Sequence, residues 1–180
     1  MQVVLAAVLI ALAAALRLVP HAPNFAPIAA IALFSGTVLP RRHALVVPLF
    51  AMLVSDAVIG FYEPRVMAAV YIALGFTVVL GFWVRTQTGR ATHVLGASLA
   101  GSVLFFALTN FAVWLWSGMY ARTTDGLLAA YVMGIPFFRN TLVGDLCYNG
   151  LIFGLYAVAG WTVTNRAWLR DRQMMRNPHA

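Results

Sequence analysis

The chain has 180 residues, 62% of them hydrophobic and only 9% charged, and its twelve cations are all Arg against five acids, a net charge of +7. An ordinary soluble domain, with about a quarter of its residues charged, is excluded. The single cysteine, Cys147, excludes an internal disulfide and any metal centre built from several thiolates.

A transmembrane helix needs about 20 mostly apolar residues. The opening MQVVLAAVLIALAAAL lacks a basic leader and ends in Arg-Leu-Val-Pro-His, so it reads as a retained helix over 2–19 rather than a cleaved signal. Further spans follow near 25–39, 43–61, 66–84, 92–116 and 138–162. The second is short, with Pro27 near its start and Gly36 near its end. The stretch 123–136, TTDGLLAAYVMGIP, is too short to cross and is expected to lie at the interface or to fold back as a cap. The pattern predicts an all-α polytopic bundle of six transmembrane helices, one domain over 1–165 followed by a basic tail over 166–180.

Charge orients those spans. Arg41, Arg42, Arg85, Arg90, Arg166, Arg170, Arg172 and Arg176 all fall on one face of a six-span topology, whereas Arg17, Arg65, Arg122 and Arg139 share the other with most of the acids. The positive-inside rule then places both termini in the cytoplasm of a multi-pass protein of the bacterial inner membrane. Arginines used in this way contact anionic lipid, and no basic stripe for nucleic acid remains.

Polar residues inside the spans are expensive and tend to be functional. Asp145 lies roughly 10 Å below the outer surface and Asp56 roughly 9 Å, at 1.5 Å per residue. Asn110 stands six residues before Trp116, so three helices are expected to bring a polar group to one depth. Asn149 is one turn below Asp145, while the inner halves of these same three helices carry almost nothing polar. This asymmetry favours a cavity open to the outside over a continuous pore. Candidate substrate-binding residues are Asp56, Asn110, Asp145 and Asn149, with Arg139, Trp114, Tyr120 and His21 above them. The same aspartates could equally be ion-paired glue between helices.

No nucleophile elbow, metalloprotease helix, phosphate loop or dinucleotide motif occurs, and no catalytic residue, cofactor or metal site is assigned. An intramembrane enzyme using Asp56 and Asp145 stays open, as does a structural or assembly subunit of a larger complex.

Four stretches carry a resemblance: RLVPHAPNFAPIAAIALFSG (17–36), PLFAMLVSDAVIGFY (48–62), LTNFAVWLWSGMY (108–120) and IPFFRNTLVGDLCYNGLIFGLY (135–156). They resemble an uncharacterised family of bacterial membrane proteins regarded as candidate transporters, and that family is similar to the S components of energy-coupling factor (ECF) transporters. The resemblance implies a six-helix uptake protein that binds a small micronutrient, a vitamin or a metal-related compound, from outside. It also implies a coupling subunit and ATPases as partners, and the row Ala7, Ala11, Ala15 resembles the surface through which S components dock. Small residues four apart let another helix approach closely.

Overall fold

The computed structural model describes residues 2–20 and 22–176, with the side chains of 3–20 and 22–161. These are helical throughout, without a strand: α1 (Gln2–Leu18), α2 (Ile28–Val38), α3 (Arg41–Ala44), α4 (Val46–Ile59), α5 (Pro64–Arg85), α6 (Arg90–Trp116) and α7 (Thr124–Arg176). Leu45, between α3 and α4, keeps right-handed helical angles, so Arg41–Ile59 runs on as one rod. Local sequence sets the ends. Glu63 caps α5 by accepting the Val66 N–H at 2.7 Å while Pro64 occupies the first turn, where its missing N–H does no harm. Gly60 ends α4 with φ +115°, a conformation that side chains resist.

Short links make successive helices alternate in direction. One end of the bundle therefore carries Arg41, Arg42, Arg85 and Arg90, and the other carries Arg17 and the links after α1, α4 and α6. Four helices are long and apolar enough to cross a membrane: Arg41–Ile59, Pro64–Arg85, Arg90–Trp116 and Thr124–Trp161. This supports a membrane protein and does not establish the six full spans expected. α1 is a shorter apolar helix, and α2, with 11 residues, reaches only about 16 Å at 1.5 Å per residue.

α2 is short because Pro27 and Pro40 bracket it, and it survives because it is the centre of the molecule. Every residue from Ala30 to Thr37 is buried, among α1, α4, α5, α6 and α7. Its terminal carbonyls would be orphaned in a dry interior. Arg85 meets them, donating from Nε to Thr37 O at 3.0 Å and from Nη2 to Gly36 O at 2.6 Å and to Leu39 O. The same end is drawn tight by two glycines: a Cβ on Gly36 would collide with the Val78 carbonyl, and one on Gly81 with the Leu33 carbonyl.

The segment 123–136 is not a separate cap. α7 begins at Thr124 and continues through Pro136, packing antiparallel along α6. Tyr131 donates to Ala107 O at 2.8 Å, Gly134 lies against Asn110 and Phe106, and Phe138 stacks at 4.6 Å on Phe106. Helix pairing supplies the burial that the segment lacks by itself. At its other end α7 runs unbroken to Arg176, so the expected boundary near 165 falls inside a helix.

Candidate functional site

The two intramembrane aspartates have different surroundings. Asp56, fully buried on α4, is enclosed by partners: Arg17 Nη1 donates to Oδ1 at 2.6 Å and Tyr71 Oη to Oδ2 at 2.9 Å. Arg17 also donates to Ser55 Oγ at 2.5 Å, so α1, α4 and α5 are tied at one point. This is the only ion pair among the described residues, and Asp56 is not part of the walls of the two chambers described next. Above it sits Tyr62, in the link before α5. Burial, followed by the Asp56 charge, pushes its hydroxyl up to about 12 despite the opposing Arg17, so it remains a neutral hydrogen-bonding group.

Asp145 is 4% exposed on α7 and has one protein partner, Ser102, whose Oγ donates to Oδ2 at 2.6 Å. No cation among the described residues pairs with it. It forms part of the wall of a cavity of about 330 Å³ at the Arg17 end, together with Arg17, Asn24, Tyr62, Phe105 and Thr141. A second chamber of about 350 Å³ adjoins it, sharing Asn24, Tyr62, Val70, Phe105 and Thr141. Asn110 and Tyr120 line this second chamber beside Phe106, Phe137 and Phe138. Asn110 spends one amide donor on Phe106 O at 2.9 Å. The pair of chambers is therefore apolar and aromatic, with a few placed polar groups and a single unpaired carboxylate at the deep end, the composition of small-molecule sites.

Asn110 and Asp145 do not share a depth. Asn110 faces Gly134 whereas Asp145 bonds Ser102, and the eight residues from 102 to 110 separate the two levels by about 12 Å at 1.5 Å per residue. Depths counted from the ends of assumed spans failed because α7 begins earlier than hydropathy indicated. The polar groups accordingly form a descending series rather than one layer.

That series continues past the chambers. Asn149, 4% exposed, donates from Nδ2 to Ser98 Oγ at 2.9 Å, one turn deeper than the Asp145–Ser102 bond. It lines neither chamber. It borders instead a mostly apolar groove of about 520 Å³ toward the arginine-rich end, beside Arg90, Leu95, Gly150 and Phe153. Buried Ser98 on α6 also corrects the expectation that the inner halves of those three helices hold almost nothing polar, and Thr37 of α2 and Thr77 of α5 are further buried polar groups.

Two further candidates stand apart from the chambers. Arg139 is exposed and lines neither, and Trp114 is committed elsewhere, its Nε1 donating to Ala121 O at 3.0 Å to fasten the link after α6. His21 lies outside the described residues. Ala7, Ala11 and Ala15 form an exposed row on α1, while Ala6, Leu9 and Ala13 of the same helix face the core.

Sequence reading passed over Ser98, Ser102 and Tyr71. A signal existed for the serines: Ser98 and Ser102 are four apart on α6, as Asp145 and Asn149 are on α7, and an antiparallel pairing matches two such rows. Tyr71 had no comparable signal, since its link to Asp56 depends on how α4 and α5 pack.

The chain belongs to the family of unknown function DUF6580, whose profile matches residues 1–168. No curated protein and no solved structure matches it.

Proposed function

We propose that this chain is a membrane uptake protein of S-component type, binding a small polar micronutrient in the paired chambers at the Arg17 end. The observation that carries the reading is Asp145: a buried carboxylate on a cavity wall, held by one serine and lacking a cation. Structural glue has no need of that arrangement, and Asp56 shows in the same molecule how glue is built. The arginine-rich end faces the cytoplasm in this reading, so the chambers open outward and both termini lie inside. A ligand gains aromatic contact from Phe105, Tyr62 and Tyr120, and hydrogen bonds from Asn110, Asn24 and Asp145 in a site shielded from bulk water. The exposed row Ala7, Ala11, Ala15 is free to receive a helix of a coupling subunit, which brings ATPases into the cycle.

Native mass spectrometry of the detergent-purified protein tests this. The wild type should carry a non-covalent small molecule, and Asn110→Leu with Tyr120→Ala should lose it while remaining folded. A wild type empty of ligand after growth in rich medium, and unchanged in melting temperature across a panel of vitamins and their precursors, would contradict binding. Constant stoichiometry with an unrelated membrane complex would favour the assembly-subunit alternative.

A further inference from the structure

Between Asp145 and Asn149 the polar series passes a narrow gap bordered by four helices. Ala29 and Leu33 of α2, Thr77 of α5, Ser98 and Gly101 of α6, and Asp145 and Asn149 of α7 surround it, and it does not admit a water-sized sphere. Asn149 is 4% exposed, and its Oδ1 is out of reach of solvent and without a hydrogen-bond donor. Asp145, equally buried, accepts only from Ser102. Two acceptors one turn apart on α7 thus border one narrow space, and one of them, Asn149 Oδ1, has no donor. A buried acceptor left without a donor is destabilising, and native structures satisfy such groups. A water molecule would serve elsewhere but has no room here.

We propose that this gap is a seat for a dehydrated monovalent cation, sodium by size, held by the Asp145 carboxylate, the Asn149 carbonyl and the hydroxyls of Thr77 and Ser98. The donor set is all oxygen, which suits a hard cation. A single carboxylate with neutral oxygens balances one positive charge, whereas divalent ions recruit more carboxylates or retain their own water. No group of three or more His, Cys, Asp or Glu side chains comes together among the described residues. A bare sodium ion is smaller than water and fits where water does not. Access follows from the shared residue: Asp145 borders both the gap and the chamber above, so an ion shed of its water in the chamber passes to the seat along one side chain. As a binding site this seat stands without the function proposed above.

The experiment is thermal unfolding of the purified protein in detergent, with sodium chloride titrated against choline chloride at constant ionic strength. Sodium should raise the melting temperature by several degrees in a saturable manner, because an ion that binds only the folded chain stabilises it by mass action. Asp145→Asn and, separately, Asn149→Leu should remove the sodium response, while Asn110→Leu in the chamber should keep it. Identical melting in sodium and choline would overturn the proposal, and so would a response that survives in Asp145→Asn. Retained ligand, read on the same samples by native mass spectrometry, separates the two ideas. Ligand without a sodium response refutes the cation seat alone, whereas a sodium response without ligand supports the seat and counts against uptake.

Discussion

Toward the arginine-rich end, α2 and α5 touch through Gly36 and Gly81, and Arg85 closes the carbonyls that α2 leaves open. Toward the Arg17 end Ile28 and Ala29 of α2 and Val70 and Leu74 of α5 line the chamber instead. The contact side chains differ little in hydrophobicity. Residue size differs: glycine against glycine brings backbones together, whereas Ile28, Val70 and Leu74 present branched chains beside the cavity. The contrast teaches that one pair of helices can be clamp at one end and container at the other.

The largest effect should come from breaking the clamp. Gly81→Leu places a side chain where the Leu33 carbonyl and the Gly36 backbone already sit, with no flexible neighbour to yield. Overpacking of this kind costs about 3 kcal/mol. Little monodisperse protein should survive size-exclusion chromatography, and normal recovery with an unchanged melting temperature would show that the seam is loose.

Next in size is the ion pair at the container end. Asp56→Ala strands Arg17, whose side chain is 19% exposed, and leaves Tyr71 without its acceptor. Removing one member of a buried pair costs about 3 to 5 kcal/mol. The drop in melting temperature should be largely reversed in the double variant Arg17→Met, Asp56→Leu, since an apolar pair of similar volume carries no stranded charge. Failure of that rescue would mean that Arg17 and Asp56 do more than fasten α1 to α4.

The smallest effect on stability should follow loss of the other aspartate. Asp145→Ala removes one hydrogen bond from Ser102, worth about 1 kcal/mol, and leaves no charge unpaired. In sodium-free buffer its melting temperature should stay close to wild type, even as ligand retention falls. A collapse comparable to that of Asp56→Ala would identify Asp145 as a second fastening and remove the distinction on which the functional reading rests.

How much of this was legible beforehand differs from one residue to the next. Asp56 and Asp145 look alike in sequence, each a lone acid near one end of an apolar run, and nothing local separates the paired carboxylate from the unpaired one. Arg17 reads equally well as a loop cation. Only its packing beside Ser55 and Asp56 makes it a clamp. Asn110 and Tyr120 were legible as polar residues near a span end, and both border the second chamber. Trp114 was equally conspicuous, yet it fixes a turn. The fold of 124–136 was the furthest from view, because a helix continuing through Pro136 is decided by the α6 surface it meets and not by its own propensity.

By itself the sequence determined that this chain is helical and apolar, that eight of its twelve arginines fall on one side of an alternating helix topology, and that the second helix, with Pro27 near its start, is short. Those properties follow from composition and from backbone restrictions that act within a few residues. Tertiary structure alone decided that the short α2 is a buried axis, that Asp56 is neutralised while Asp145 is left to a serine, and that Asn149 borders a narrow gap. Each of these depends on which groups from distant helices meet in a medium of low dielectric, where one partner at hydrogen-bond distance separates a fastening from a binding site.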